Sequence, residues 1–580
     1  MRPWFRLIAL PAAGALAFGM LVTGAASSSA TPITTSTEAA TAAQGKGVAA
    51  VRDNSTPGEQ QPTMGVAHSS TKHLKIQRAH STPGSTSAGP TAAQRALQRY
   101  GYLVPNRGAH DRAKARAARR SGQASAQAAV TGSLAPVQTR NFAGISGTTG
   151  SPSDSTGAVG TTRYMELVNS RFALYSRTNA LLGQGTLHSL IGANAADNVF
   201  DPQVIWDPTT SRFYYASDQI TTGGSNLLAV GFSKTASPTT AADFCKYTID
   251  YGTVDFPDYP KLGDTQHFWV LGVNVFSPSF SGSDLLAITK PPAGSTCPAP
   301  ASFGLTVKAD VKNANGTAAF TPVPANQTDT SGTGWVVARP ASVPATFLTV
   351  YKITRNATSG AAVISNGSNV AVPSYTVPAN APQNGSTELI DTSDTRNTQA
   401  VSAVDPLHSN LVGLWTQHTT AVVGGGRAEV RWYEINPVAK TLFQSGKVTS
   451  ASLFSFNGAI SPDRKALGAT RAFGGNMVMN FNTSSATTFP AIKVVSKIGA
   501  AAQSAPAVVI TSAGPGNDFT CPPTNSHPCR WGDYAAATPD PAASATAARG
   551  VVFGTNQYTR DGRLNPGGVN WLTRNFSHTP

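Results

Sequence analysis

Short apolar runs separated by turn residues recur along the chain from residue 141 onward. The clearest unit starts at Asp258-Tyr-Pro-Lys-Leu-Gly and continues through the apolar runs 267–275 and 284–290. This pattern predicts an acidic–proline turn, a short strand, a longer aromatic strand, a Gly/Ser/Pro loop and a third strand. Looser copies recur as far as Tyr558. Repetition of an all-β unit is typical of a sheet repeated radially about an axis.

Seven such units can be aligned by the acidic residue that leads each of them. These residues lie 47 to 71 positions apart and are Asp154, Asp201, Asp258, Asp329, Asp394, Asp463 and Asp533. The intervals suit four-stranded blades with variable loops, so we predict an all-β propeller of seven blades at residues 141–580. Six blades are the alternative, because the fourth unit is weak. Residues 571–577 are a candidate closing strand, beside either the first unit or residues 137–142.

The first 140 residues have a different pattern. Arg2 and Arg6 precede an apolar run at residues 7–22, which small residues follow. This order is typical of a secretory signal peptide, which we place at residues 1–30. An uncleaved membrane anchor is the alternative for this run, because its length borders on that of a span.

Residues 31–140 are rich in Ala, Thr, Ser, Gly, Gln and Arg and poor in large apolar residues. This composition predicts a disordered region or propeptide, since too little apolar surface can be buried to offset the ordering entropy. Residues 91–102 and 111–120 have a helix-forming composition. A marginally helical spacer and a basic arm that docks on the cell envelope both fit them.

The net charge of +15 is unevenly distributed, since residues 1–140 carry +12 of it. The propeller region is therefore nearly neutral, and a nucleic-acid partner is not supported. No later stretch is apolar enough to span a membrane. We expect an exported monomer, outside the cell or at its surface, with no transmembrane span after signal cleavage.

Four cysteines fit such a compartment. Cys521 and Cys529 bracket a short proline-rich loop, so we expect them to form one disulfide. Cys245 and Cys297 would then form the second, between neighbouring repeats. The rival interpretation is a metal site of Cys521, His527 and Cys529, but its spacing matches no common zinc pattern.

The sequence Asp-Ser-Thr-Gly-Ala-Val-Gly at residue 154 is one of several motifs that carry a resemblance. The others are Asp-Pro-Gln-Val, Asp-Tyr-Pro-Lys-Leu-Gly, Arg-Trp-Tyr-Glu-Ile and Arg-Trp-Gly-Asp-Tyr. Together they resemble exported bacterial β-propeller proteins, which are similar in architecture to the sialidase/BNR-type superfamily. The resemblance spans residues 141–580 and implies the fold but no particular activity.

The leading acidic residues predict a site. Loops before the inner strands of a propeller meet at one mouth of its channel, so these carboxylates would form a ring there. The predicted ligand-binding residues are Asp154, Asp201, Asp258, Asp394, Arg396, Arg530 and Asp533. The ring could bind a ligand or a Ca²⁺ ion, which prefers several oxygen ligands. The competing interpretation is that each Asp only caps the backbone of its own turn.

A sialidase-like glycoside hydrolase is the alternative function. Arginines would bind the substrate carboxylate in a bidentate manner, and Tyr433 or Tyr534 with Glu434 would perform the chemistry. The Ser-x-Asp-x-Gly-x-x-Trp box of that family is absent, and adjacent Tyr433 and Glu434 would point to opposite faces of a strand. We therefore favour a non-catalytic module that binds an extracellular ligand, such as a glycan or a cell-envelope component, without a cofactor.

Overall fold

The structure is a computed structural model of the 580-residue chain. It describes residues 74–79, 101–122 and 134–580, apart from residues 293, 330, 465–473, 523–526 and 543–549. The predicted signal peptide, most of residues 31–140 and a strand predicted at residues 466–470 lie outside the described residues.

Seven sheets make up the fold, and we number them as blades 1 to 7. All strand pairs in them are antiparallel except that the short strand Asn326–Gln327 pairs in parallel with the strand Asn397–Asp405 of blade 5. The strands of each blade are given from the innermost outward. Blade 1 contains Thr156–Val159, Arg163–Val168, Arg171–Ser176 and Leu181–Thr186, and blade 2 contains Asn198–Asp207, Arg212–Ile220, Asn226–Ser233 and Phe244–Asp250. Blade 3 contains Phe256–Asp264, Phe268–Phe276, Phe280–Thr289 and Leu305–Lys308, and blade 4 contains Ala319–Pro324, Gly334–Pro340 and Ala345–Arg355, with Ala362–Ile364 and Ser368–Tyr375 both paired with Ala345–Arg355. Blade 5 contains Asn397–Asp405, Leu411–Ala421, Ala428–Asn436 and Thr441–Val448, and blade 6 contains Phe454–Pro462, Met477–Ser485, Thr488–Lys497 and Ala507–Thr511. Blade 7 contains Ala536–Pro539, Val552–Thr559, Trp571–Thr579 and Val137–Ser146.

The inner strands form a closed ring. Each contacts the inner strand of the next blade, and that of blade 7 contacts that of blade 1. A narrow channel of about 30 Å³ remains between them, lined by residues such as Gln203, Lys261 and Thr398. This volume has room for one or two water molecules. The predicted seven-bladed propeller is confirmed, and the six-bladed alternative is wrong.

A bulge near the start of the inner strand recurs in several blades. Asp201, Tyr259, Thr321 and Asn457 have φ of 52°, 60°, 52° and 48°, and the strand register shifts beside each of them. Pro or Gly follows each of these residues. Bulges bend a strand and redirect its side chains, so they change the direction of the first residues of these inner strands.

Two of the seven leading acidic residues were assigned wrongly. The inner strand of blade 4 is Ala319–Pro324, so Asp329 follows it instead of leading it. The inner strand of blade 6 is Phe454–Pro462, which puts Asp463 at its far end. There the Asp463 carboxylate accepts hydrogen bonds from backbone N–H groups of two loops. In both blades the inner strand starts with a bulge that contains no acidic residue.

The ring is closed by pairing the two ends of the propeller in blade 7. Trp571–Thr579 lies between Val552–Thr559 and Val137–Ser146 and is antiparallel to both. Of the two predicted partners, the region of residues 137–142 is therefore the observed one.

Buried Glu166 of blade 1 reinforces this closure. Its carboxylate accepts hydrogen bonds from Ile145 N (3.2 Å), Asn575 Nδ2 (2.7 Å), Tyr175 Oη (3.0 Å) and Thr573 Oγ1. One side chain of the first blade thus holds both closing strands of the last.

Parts of residues 31–140 pack on the propeller. Ile76–Arg78 adds a fifth strand to blade 2 beside Phe244–Asp250. The helix Arg107–Arg120 begins at the N-cap Asn106, whose side chain accepts a hydrogen bond from Ala109 N. A short helix, Leu187–Ile191, and three 3-10 turns, Ala241–Asp243, Pro300–Ser302 and Pro406–His408, complete the described elements. The domain boundaries proposed from composition stay predictions.

Both predicted disulfides are confirmed. Cys245 in blade 2 is bonded to Cys297 in the outer loop of blade 3, and Cys521 is bonded to Cys529. The second bond removes the thiolates that the rival metal site required. Within the described part of the chain, we find no helix with the length and apolarity needed to cross a bilayer.

Replacing Glu166 tests the closure. Glu166→Ala leaves buried donors of blades 1 and 7 without an acceptor, and we expect the free energy of unfolding to fall by about 3 kcal/mol. The matched control Tyr175→Phe removes a single hydrogen bond and should cost about 1 kcal/mol. Urea unfolding followed by tryptophan fluorescence measures both. Equal losses would mean that the backbone ladder alone closes the ring.

Candidate functional site

A cavity of about 470 Å³ opens on the face where the inner strands start, and we call it the mouth pocket. Six of the seven predicted ligand-binding residues line it, namely Asp154, Asp201, Asp258, Arg396, Arg530 and Asp533. Its aromatic lining consists of Tyr102, Phe200, Tyr259, Phe519 and His527. Residues from blades 1, 2, 3, 5 and 7 therefore meet in one cavity, although they are up to 379 positions apart in the chain.

Asp154 behaves largely as a capping residue. Its carboxylate accepts hydrogen bonds from Asn169 Nδ2 (2.5 Å) and from the backbone N–H of Asp533 (2.6 Å). The same Asn169 accepts a hydrogen bond from Asp201 N at 2.8 Å. Asp154 thus ties together the turns of blades 1, 2 and 7, which is the structural role considered for these residues.

Asp201 and Asp258 are different, because no described donor forms a hydrogen bond with either carboxylate within normal geometry. Asp258 is 3% exposed, and its Oδ2 is enclosed without a partner. Burial raises the pKa of Asp258 to about 7, although Arg396 opposes the shift. Burial and then Asp154 raise the pKa of Asp201 well above its usual range. The pocket therefore contains carboxyl groups that retain protons near neutral pH.

Asp394 is the predicted residue that does not line the pocket. It is 1% exposed and accepts hydrogen bonds from Arg396 Nε (2.8 Å) and Arg339 Nη2 (3.0 Å). Burial would raise its pKa, but the two guanidinium groups outweigh burial and hold the pKa far below the usual range. Asp394 therefore positions Arg396 from behind.

Arg530 forms the second cationic wall. Its Nη2 donates to Asp533 Oδ1 at 2.9 Å, while its Nε and Nη1 are buried without a hydrogen-bond partner. Burial raises the pKa of Asp533 to about 6, and Arg530 opposes this shift. Two guanidinium groups and four carboxyl groups line the pocket, so it can both donate and accept hydrogen bonds.

Beneath the pocket lies a buried lysine that sequence reasoning missed. Lys261 Nζ is 3.8 Å from the ring centroid of Tyr259 and 3.6 Å from that of Tyr534, and it has no hydrogen-bond partner. Burial lowers its pKa to about 7, although Asp201 opposes the shift. Lys261 follows Tyr259-Pro260 in the inner strand of blade 3, directly after the bulge, and it lines the channel. The Tyr-Pro-Lys sequence is the signal that could have indicated a channel residue.

The predicted catalytic residues of the hydrolase alternative are not assembled in the pocket. Tyr433 packs between blades 4 and 5, where its hydroxyl lies 3.0 Å from His418 Nε2. Glu434 faces the other side of the same strand and accepts a hydrogen bond from Gln444 at 2.6 Å. Tyr534 is 1% exposed under the pocket, with its ring 5.7 Å from that of Tyr259. The alternation of side chains along a strand separates Tyr433 from Glu434.

Glu434 instead belongs to a cluster at the opposite end of blade 5. Ligand atoms of Asp405, His408 and Glu434 lie within 4.8 Å of one another, the one group of this kind among the described residues. Asp405 also caps its own turn at Leu407 N and bonds His408. Burial and, to a smaller extent, the nearby carboxyl group of Asp405 raise the pKa of Glu434 to about 9. Glu434 therefore keeps its proton at neutral pH. The pocket carboxylates form no such close group, and the predicted Ca²⁺ stays a prediction.

The comparisons with known proteins give low similarity. No family model matches this chain, and no curated protein matches it in sequence. Among solved structures, the Dos1 propeller is similar over 76% of this chain and 95% of that chain, with 8% identity and a TM-score of 0.34. A Penicillium chrysogenum α-L-arabinanase complexed with arabinobiose is similar over 65% of this chain and 92% of the arabinanase chain, with 9% identity and a TM-score of 0.31. The hemagglutinin-neuraminidase of parainfluenza virus 5 is similar over 61% of this chain and 91% of the viral chain, with 11% identity and a TM-score of 0.35. At these values the likenesses carry no argument about the site.

Opposite pKa shifts at Asp258 and Asp394 predict opposite effects of substitution on stability. The raised pKa of Asp258 means that its ionisation costs stability as pH rises from about 4 toward 7. Asp258→Asn removes this cost, so its stability relative to the wild type should increase by about 1–3 kcal/mol between pH 5 and pH 8.

Asp394→Asn is the matched control. The depressed pKa of Asp394 contributes stability at neutral pH that is lost in acid, so this variant should lose about 3–5 kcal/mol at pH 7. Its deficit should shrink as the pH falls below 4. Urea unfolding at each pH measures both variants. A pH-independent difference between Asp258→Asn and the wild type would contradict the shift.

Proposed function

We propose that the propeller binds a glycan in the mouth pocket and works outside the cell. The observation that carries the proposal is the convergence of Asp201, Asp258, Arg396 and Arg530 from different blades in a cavity of about 470 Å³. A cavity of this size accommodates a small ligand or the end of an oligosaccharide. The two disulfides support an oxidising compartment.

The chemistry of the pocket favours a sugar over an apolar ligand. Sugar hydroxyls both donate and accept, so they can bond a carboxylate such as that of Asp201 and a guanidinium such as that of Arg396. The rings of Phe200 and Phe519 add apolar surface for the carbon face of a sugar. Because both aspartate and arginine side chains line the pocket, a neutral ligand can bind there without carrying a charge of its own.

Hydrolysis of a glycosidic bond is the second candidate, and the pKa of Asp258 near 7 favours it. A general acid must hold a proton at working pH, and glycosidases commonly combine such a group with a second carboxylate. Asp533, whose pKa burial raises only to about 6, lies in the same cavity and can supply the carboxylate. This candidate uses neither Tyr433 nor Glu434, which lie elsewhere.

A glycan array probed with the full-length protein tests binding. Asp201→Asn replaces one of the two pocket carboxyl groups that have no internal donor, and we expect it to weaken binding to the recognised glycans by at least about tenfold. The control is Asp561→Asn, which changes an exposed carboxylate outside the pocket and should bind as the wild type does. Equal loss in both variants, or binding that no pocket substitution affects, would contradict the proposal.

A panel of p-nitrophenyl glycosides separates binding from hydrolysis. We expect no release of nitrophenol if the protein is a binding module. Release that Asp258→Asn abolishes, while the array signal is retained, would establish the hydrolase instead.

A further inference from the structure

We propose that residues 101–122, which we call the strap, occupy part of the ligand site and leave it when ligand binds. The inference rests on the proposed function of the mouth pocket. It assigns a role to a segment whose composition predicted only a spacer, a propeptide or an arm that docks on the cell envelope.

The start of the strap lies directly on the two pocket arginines. The carbonyl oxygen of Leu103 accepts a hydrogen bond from Arg396 Nη2 at 2.6 Å. The ring of Tyr102 lies 5.0 Å from Arg530 Cζ and 5.7 Å from Arg396 Cζ. These contacts use the cationic groups that a sugar would otherwise engage.

The contact with Arg530 is incomplete. A side chain at Gly101 would meet the Cδ and Nε of Arg530 at 2.7 and 2.9 Å, so the bare backbone of Gly101 presses against the guanidinium. Yet Arg530 Nε and Nη1 have no acceptor, and the side chain is 5% exposed. Burying charged donors without acceptors is costly. Displacement of Gly101 and Tyr102 would expose these donors to water or to ligand oxygens.

The helix of the strap buries few of its residues. In the helix Arg107–Arg120 only His110 and Ala117 are buried. Lys114 Nζ donates to Asn380 Oδ1 (2.8 Å) and Thr392 Oγ1 (3.0 Å), and forms an ion pair with Asp391. Because the helix presents little apolar surface, its removal exposes little. At the start of the strap, Leu103 packs in the apolar cluster that includes Phe256, Phe280 and Phe320, so displacing the strap also exposes this side chain. The blades keep their own cores when the strap leaves.

A close backbone contact provides a variant that displaces the strap without substituting any residue of the pocket lining. A Cβ at Gly426, in a hairpin of blade 5, would lie 1.7 Å from the carbonyl oxygen of Ala117. Gly426→Ala should therefore expel the helix. Lys114→Met should loosen it by removing the anchor. The matched controls are Gly122→Ala, where nothing lies within 4 Å of the added Cβ, and exposed Arg119→Met.

Three measurements on the full chain test the proposal. Amide hydrogen exchange at residues 107–120 should accelerate at least about tenfold in Gly426→Ala and Lys114→Met, but not in the controls. Modification of Arg530 by phenylglyoxal, read by peptide mass spectrometry, should increase in the same two variants. On the glycan array, their binding should strengthen by about tenfold, because the closed strap no longer reduces the fraction of competent sites.

The outcomes are separable from those of the proposed function. Faster exchange with weaker or unchanged array binding would show that the strap is a wall of the site or unrelated to it, and would overturn the proposal. Unchanged exchange or unchanged Arg530 modification would overturn it as well. If the array is silent for every protein, the glycan proposal fails, while the exchange and phenylglyoxal results still decide whether the strap covers Arg530.

Discussion

The closure of the ring in blade 7 is the constraint on which the remaining structure depends. The ring is fastened where strands from the two ends of the propeller share one sheet, and here Val137–Ser146 completes the sheet of Trp571–Thr579. Glu166 reaches across from blade 1 to hold both strands. Gly144 permits this approach, because a Cβ there would lie 2.6 Å from the Glu166 carboxylate. Burial raises the pKa of Glu166, and its four hydrogen bonds offset part of that cost. Without closure, the pocket turns of blades 1 and 7 would not meet.

The mouth pocket follows from this ring and from the bulges of the inner strands. Left-handed residues such as Asp201 and Tyr259 are strained, and the neighbouring blades keep them in place. The bulges of blades 2 and 3 place Asp201 and Tyr259 in the lining of the pocket. Asp154 then bonds Asp533 N across the junction of the first and last blades. The junction that closes the fold therefore also forms one side of the candidate site.

The sequence predicted the fold and most of the site, because repetition carries both. Alternating strands and recurring Asp turns were enough to place six pocket residues without knowing any contact. The same rule failed at Asp329 and Asp463, since blades 4 and 6 keep the bulge but replace its acid with Thr321 and Asn457. The bulge followed by Pro or Gly is the feature that repeats, whereas the acid is needed only where the pocket lies. Asp394 shows a further limit, because only three-dimensional contacts reveal that it faces two arginines.

The strap could not be inferred from composition, and the reason is physical. Its helix lacks an apolar face, so no periodicity indicates a docking surface, and its polar contacts, such as that of Lys114 with Asn380, join residues far apart in the chain. Its partners are also specified elsewhere in the chain, by the absence of a side chain at Gly426 and by the electrostatics around Arg530. The same two features explain why attachment need not be permanent. The strap is held by Leu103, which packs among apolar residues and accepts a hydrogen bond from Arg396, by Lys114 and by the backbone contact at Gly426. It also covers donors of Arg530 that it does not satisfy, so a ligand that satisfies these donors competes with it.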